Sequence, residues 1–256
     1  MKIITYNVNG IRAAIKKGFI DWLRATEADV VCLQEIKATE KDLDWSEFKK
    51  MGYEIYLNPA EKKGYSGTAI LTKIKPLHVE IGCGIPEYDF EGRVIRADYE
   101  NVSVMSVYMP SGTSGDLRQN FKYQWLDDFF IYAQELSKKI PNLVICGDYN
   151  ICHRPIDIHN PKSNANSSGF LPPERDWMEK FFANGYVDAF RHFNQEPHHY
   201  TWWSQRFPSI RDRNLGWRID YHAVTDNMKH RLKRCVILPD ARHSDHAPVM
   251  VEITSE

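Results

Sequence analysis

Cysteine is scarce in this sequence, and long apolar runs are missing. The five cysteines (Cys32, Cys83, Cys146, Cys152 and Cys235) are odd in number, widely spaced and without a CxxC pair. That excludes a disulfide scaffold and a cysteine zinc site, and points to a reducing, cytoplasmic setting. No stretch approaches the ~18 consecutive apolar residues of a membrane span, so no membrane role is expected. The opening MKIITYNVNG has one lysine but no long apolar core and no small-residue cleavage site. It does not read as a secretory signal. Charge of one sign is lacking as well: the net charge is −1, which argues against a purely electrostatic nucleic-acid coat. No Pro/Gly/Ser linker divides the chain. The richest candidate, PKSNANSSGFLPPE at 161–174, reads as one polar loop inside a domain.

What is present suits a folded globular chain. Of 256 residues, 43% are hydrophobic and 26% charged, both ordinary proportions. A single domain over 1–256 is expected. Short β-branched runs predict strands at Lys2–Tyr6, Val30–Leu33, Thr68–Thr72, Val94–Tyr99, Val102–Tyr108, Leu143–Cys146, Ile219–Val224 and Val249–Ile253. Helical spacing of apolar residues predicts helices over Ile11–Arg24, Tyr123–Leu136 and Glu174–Asn184. The class is α/β with mixed sheets. A strand–helix–strand order ending in polar residues occurs twice, at Asn7/Glu35 and again at Tyr108/Asp148–Asn150. It hints at two similar units packed sheet on sheet. From Gln205 to Arg234, eight Lys/Arg face three Asp, a local excess of five positive charges that leaves the remainder at −6. Such a stretch suits either a polyanion-gripping face or an ordinary solvated surface.

The informative residues are polar groups just past apolar strands, where a side chain can enter a cleft from a rigid base. Asn7 and Asn9 in NVNG follow the first strand, although Asn-Gly is also a common turn pair. Glu35 in CLQE is a fair hard-cation ligand, or a surface carboxylate. Asp148 and Asn150 in GDYN stand two residues apart and share a side. A turn with an Asx bond would also place them so. Asp245 and His246 in SDHAP offer a carboxylate and a titratable imidazole. Asp220 in WRID could orient that imidazole.

Together the phrases NVNG, LQE, VYMPSG, GDYN, GWRIDY and SDHAP run in this order across residues 6–248. The set resembles the endonuclease/exonuclease/phosphatase superfamily, and more narrowly the exonuclease III type of abasic-site endonuclease. GYSGTAI at 64–70, EGRVIR at 91–96, SGFLPPER at 168–175 and YTWW at 200–203 are similar to that branch too. The resemblance covers essentially the whole chain. It implies a four-layered α/β sandwich, two packed mixed β-sheets flanked by helices, with a cleft at one rim. It implies Mg²⁺, with Mn²⁺ as a possible substitute, held mainly by Glu35 with Asn7 and Asp245 close by. A second ion would fall to Asp148, Asn150 and His246. In the same resemblance Asp148 sits against the attacking water. Asn150, Tyr108 and His246 hold the scissile phosphate, with Asp220 behind His246. Arg12, Lys37, Tyr65, Gly67, Asn160 and Asn164 match DNA contacts. Trp202, Trp217 and Ile219 resemble the apolar pocket for a flipped, base-free sugar. Ser111 stands where the family usually has Asn or Gln, and Ser167 replaces a family Asn. The implied partner is double-stranded DNA with abasic sites or blocked 3′ ends, acted on by a monomer.

The chemistry also follows from the residues. A phosphodiester repels hydroxide, and a divalent cation beside it neutralises charge and stabilises the leaving 3′ oxygen. The attacking water needs an acceptor, either Asp148 or His246. Imidazolium at His246 would stabilise the developing oxyanion. An abasic nucleotide has no base to unstack, so extruding it costs less than the few kcal/mol of a normal one. A 3′–5′ exonuclease or 3′-phosphatase paralogue, a non-DNA phosphatase of the same superfamily and a non-catalytic binding module are the competing readings. The last would be expected to lack one of Glu35, Asp148 or His246.

Overall fold

A computed structural model describes residues 1–207 and 209–254. Pro208, Ser255 and Glu256 belong to the expected 1–256 domain and lie outside the described residues. Twelve strands are described: β1 (Lys2–Asn7), β2 (Val30–Gln34), β3 (Glu54–Asn58), β4 (Thr68–Thr72), β5 (His78–Ile81), β6 (Val94–Asp98), β7 (Ser103–Tyr108), β8 (Leu143–Asp148), β9 (Tyr186–Asp188), β10 (Asp220–Thr225), β11 (Leu232–Ile237) and β12 (Val249–Ile253). They form two six-stranded sheets, ordered β11-β12-β1-β2-β4-β3 and β5-β6-β7-β8-β10-β9. In each sheet the middle pair is parallel, β1 with β2 and β7 with β8. Every other pairing is antiparallel. The hinted duplication is therefore real at the level of topology.

Three apolar cores make this a four-layered sandwich. Ile3, Val30, Val104, Val144 and Val224 meet between the sheets. Ile4, Tyr6, Val31 and Leu33 face the other way, onto Ile11, Phe19 and Leu23 of the N-terminal helices. Met105, Val107 and Ile145 pack on Trp125 and Phe129 of the helix Asp116–Lys139 and on Trp177 and Phe181 of the helix Pro172–Ala183. The two-residue strand period sorts these faces.

That period also grades the inter-sheet layer. Above the apolar tier lies a buried polar one: Thr5, Gln34, Ser106 and His222. Gln34 Nε2 donates to Thr5 Oγ1 and, across the sheets, to Ser106 Oγ, each at 3.0 Å. His222 Nε2 lies 2.9 Å from the Val249 carbonyl of the opposite sheet. Two residues beyond Thr5, Ser106 and Cys146 stand Asn7, Tyr108 and Asp148.

Several expectations need correction. The helix expected over Ile11–Arg24 is two helices, Ile11–Lys16 and Phe19–Thr26, because Gly18 turns the chain at φ 92°. The expected Tyr123–Leu136 helix starts at Asp116, after Gly115 at φ 105°, and runs to Lys139. Strands β3, β5, β9 and β11 carry no expectation above. All four lie at or next to sheet edges, and an edge strand with one wetted side has no apolar run. The basic Gln205–Arg234 stretch is not one basic face. Arg218 is fully buried against Asp157 and Asp188, each at 2.7 Å. Arg211 donates to the carbonyls of Ser244, Pro239 and Ala241. Arg231 is buried as well.

Asp157 also accepts from Arg191 at 2.7 Å. Burial alone would raise its pKa, but Arg218 and Arg191 hold it below the ordinary carboxylate value. A depressed folded pKa gives stability that is present above the unfolded pKa and lost as pH falls through the folded one. Asp157→Asn leaves Arg191 without a carboxylate and Arg218 with Asp188 alone, and is expected to cost about 3–5 kcal/mol near neutrality. The Tm gap to wild type should shrink as pH drops below about 4. A gap that stays constant from pH 6 to pH 3 would contradict this.

Candidate active site

The carboxyl ends of the central strands of both sheets meet at one rim. From the first sheet come Asn7, at the end of β1, and Glu35, one residue past β2. From the second come Tyr108 and Asp148, at the ends of β7 and β8, and Asp220, at the start of antiparallel β10. His246 precedes β12. Four non-glycine residues here take the left-handed conformation: Asn9 (φ 45°), Glu35 (φ 47°), Lys37 (φ 51°) and Asn150 (φ 51°). Such backbone persists only where its surroundings over-determine it.

Asn7 is the buried tie between the sheets. Its Nδ2 donates to Glu35 Oε1 and to Asp148 Oδ2, both at 2.9 Å. Lys37 Nζ stands 3.2 Å from Glu35 Oε2 and donates to Asn9 Oδ1 at 2.6 Å. Asn9 Nδ2 then donates to Asp245 Oδ1 at 3.0 Å, and Trp202 Nε1 to Asp245 Oδ2 at 3.0 Å. Asp148 Oδ1 accepts the Asn150 N–H at 2.8 Å, and Asn150 Nδ2 donates to the Met109 carbonyl at 2.8 Å. His246 Nδ1 lies 2.9 Å from Asp220 Oδ2, while its Nε2 faces Asp148 Oδ2 at 3.8 Å.

The electrostatics follow from burial. Desolvation pushes Asp148 up to about 7; His246 and the Asn150 N–H oppose the rise, and Asp220 and Glu35 add to it. Burial alone would lower His246, but Asp220, Asp148 and Asp245 outweigh it and raise it to about 10. Burial would raise Asp245, yet His246 and the donors Trp202, Asn9 and Ser244 hold it low. Burial keeps the Tyr108 phenol protonated, with Glu35 acting the same way against Arg93. Arg93 stacks its guanidinium 4.8 Å over the Tyr108 ring and donates to the Tyr108 carbonyl at 2.9 Å.

Ligand atoms of Glu35, Asp148 and His246 all lie within 4.8 Å of one another. The two carboxylates offer hard oxygen donors that fit a divalent cation, and the imidazole beside them is held charged by Asp220. A cleft of about 820 Å³ opens above them, with Tyr108, Asn150, Asp245, Trp202, Trp217 and Ile219 in its walls. Trp202 and Trp217 meet edge to face at 5.8 Å and exchange backbone hydrogen bonds. Residues 4–246 match the Endonuclease/Exonuclease/phosphatase family. The chain belongs to this family. It is 43% identical over 251 residues to an exodeoxyribonuclease from Bacillus subtilis, covering 97% of this chain and 98% of that protein. A solved AP endonuclease from Archaeoglobus fulgidus superposes with a TM-score of 0.89 at 31% identity, covering 99% of both chains. A 3′-5′ exonuclease from Neisseria meningitidis superposes with a TM-score of 0.91 at 28% identity, again covering 99% of both. Within the family, the chain is a hydrolase of the exonuclease and AP endonuclease type.

Of the DNA contacts the family resemblance named, Lys37 touches the cleft floor through Glu35 and the others stand apart from it. Arg12 and Lys37 lie together, Arg12 reaching the Lys37 carbonyl at 3.5 Å. The Tyr65 hydroxyl accepts from Arg93 and Arg118. Gly67 sits where a Cβ would meet Ile36 at 2.8 Å. Asn160 and Asn164 are bonded within their own loop: Asn164 Nδ2 donates to the carbonyls of His159 and Asn160. That loop reaches the cleft through Asn166, Ser167, Ser168 and Gly169 instead. Ser111 also lines the cleft, with its hydroxyl 3.0 Å from that of Thr113. Sequence reading passed over Thr201, whose hydroxyl accepts the N–H groups of Ile219 and Asp220. A lone Thr in YTWW gives no signal for that task. Arg93 stood in the EGRVIR phrase without a role.

Proposed function

We propose that the chain is a Mg²⁺-dependent DNA repair nuclease that cuts the phosphodiester 5′ to abasic sites in duplex DNA, acts also on blocked 3′ ends, and works as a monomer. The observation that carries the reading is the convergence of Glu35, Asp148 and His246 within 4.8 Å, under a cleft also walled by Trp202, Trp217 and Ile219. A divalent cation would be held mainly by Glu35, with Asn7 and Asp245 close by, and would neutralise phosphate charge and ease departure of the 3′ oxygen. Everything else falls to side chains. Asp148 takes the proton of the attacking water as the water oxygen bonds to phosphorus and the P–O3′ bond breaks. The buried carboxylate, drawn toward neutral pH by its surroundings, is suited to that proton. His246, held charged by Asp220, donates from Nε2 to a phosphate oxygen, and Tyr108 and Asn150 donate beside it. The Trp202–Trp217–Ile219 wall receives the extruded, base-free sugar.

The test is to compare initial rates with Mg²⁺ on an abasic-site duplex, an intact duplex and a 3′-phosphate duplex. Fastest cleavage of the abasic duplex supports the reading. Preference for either of the others favours a 3′–5′ exonuclease or 3′-phosphatase, the activities named for two solved Neisseria structures. Glu35→Gln keeps the size and removes the charge. The cation concentration for half-maximal activity is then expected to rise by at least about 10–100-fold, since loss of even an outer partner of a metal site costs that much. Superimposable Mg²⁺ titrations would remove Glu35 from the ligand set.

A further inference from the structure

One wall of the cleft is tied to a buried ion pair that the proposed chemistry leaves unused. Lys122, on the helix Asp116–Lys139, and Glu174, in the first turn of the helix Pro172–Ala183, are both fully buried, with Nζ and Oε1 2.5 Å apart. Packed apolar side chains usually stabilise a core as well as such a pair does. What distinguishes this pair is what else it holds. Lys122 Nζ donates to the Asn150 carbonyl at 2.8 Å, and so secures a residue in left-handed backbone. Glu174 Oε2 accepts the N–H groups of Gly169 at 2.6 Å and Leu171 at 3.0 Å. Its Oε1 also accepts from Gln119 at 3.1 Å, and Gln119 Oε1 accepts from Ser168 at 2.6 Å. Gly169 is pressed between the two sides of the site: a Cβ there would come 3.0 Å from the Trp217 ring and 3.2 Å from the Asn150 carbonyl. One ion pair therefore spaces Asn150, on the phosphate side, from Gly169, on the sugar side.

We propose that Lys122 and Glu174 are positioning residues that fix the Gly169–Leu171 wall against Asn150 and Trp217, and so set which nucleotide the cleft accepts. The selectivity half of this rests on the abasic reading above. The holding half does not. Neither side chain reaches substrate. They act through two backbone N–H groups and one carbonyl.

Two variants test it. Lys122→Met/Glu174→Leu replaces the pair with apolar volume and leaves no stranded charge. Glu174→Gln keeps an acceptor in place and is the conservative rescue. In the double variant, hydrogen exchange at Gly169 and Leu171 is expected to accelerate by about tenfold or more while β8 and β10 stay protected, as in a local opening. The ratio of kcat/KM on abasic duplex to that on 3′-phosphate duplex is expected to fall on the order of 10–100-fold, the penalty of a small misplacement. Glu174→Gln, which keeps an oxygen for the Gly169 and Leu171 N–H groups but leaves the Lys122 charge unpaired, should recover most of the exchange protection and only part of the ratio. Unchanged exchange at 169 and 171 overturns the holding role. Faster exchange with an unchanged substrate ratio overturns the selectivity role. If the double variant loses β8 and β10 protection, Glu174→Asp, which keeps the charge beside Lys122 but draws the acceptor one methylene back from the Gly169 and Leu171 N–H groups, is read against wild type by the same two measures. If wild type does not prefer the abasic duplex, the abasic reading and the selectivity role fail together, and exchange still decides the holding role.

Discussion

Asp148→Asn is expected to lower the single-turnover rate of DNA cleavage on the order of 10²–10⁴-fold, the usual worth of a positioned proton acceptor. The substitution is nearly isosteric. The Asn150 N–H still finds an oxygen, and Asn7 loses only one of its two acceptors. What disappears is the basic carboxylate 3.8 Å from His246 Nε2. His246→Asn is expected to fall in the same range, because it removes the charged donor that Asp220 holds in place at 2.9 Å. Both roles belong to the transition state, so affinity for duplex DNA should change little. Cleavage within a few-fold of wild type by either variant, measured in single turnover with saturating cation, would mean that residue is misassigned.

Trp217→Ala is expected to change what is cut more than whether cutting occurs. Trp217 lies in the segment that continues through Arg218 and Ile219 to Asp220. That segment is pinned by the Thr201 hydroxyl and by the buried Arg218–Asp157 pair. Its ring crosses Trp202 edge to face and packs with Ile158, Phe170 and Ile219. Truncation opens the cleft wall that, on the abasic reading, receives the sugar. The penalty on abasic cleavage is at most about 3–5 kcal/mol, if all of a buried Trp→Ala cost is felt in the transition state. Removal of a 3′-phosphate uses the same floor but less of this wall, so it should fall less. The measurement is the ratio of kcat/KM on the two duplexes for wild type and variant, with folding verified. An unchanged ratio would make Trp217 ordinary packing and take away the main physical support for an abasic substrate.

Much of this was legible in the residues because the central strands are buried on both faces. Lys2–Tyr6, Val30–Leu33 and Leu143–Cys146 read as strands from their apolar runs alone, and the polar residues just beyond them are the ones that converge. The edge strands were hidden for the opposite reason. β11, with Lys233 and Arg234 toward solvent, carries the composition of a surface segment. The Trp202 placement needed long-range pairing to Trp217 and His246, which no local pattern encodes. The charge count over Gln205–Arg234 misled because formal charge ignores burial. Arg218 belongs to the interior, and its partners Asp157 and Asp188 lie 61 and 30 residues away in sequence.

The graded layer between the sheets has a consequence for how such an enzyme is assembled. Glu35, Asn7 and Asp245 ride on one half of the sandwich, and Asp148, Tyr108 and Asp220 on the other. Neither half owns a usable centre. The cation-holding group exists only while the two are seated, by the apolar layer between them and by bonds such as Gln34–Ser106 and His222–Val249 one tier below the site. Catalysis is therefore a coincidence reading: it reports that two independently hydrogen-bonded sheets have found one register. A change that lets them slide by a fraction of an ångström would silence the chemistry while leaving every strand intact.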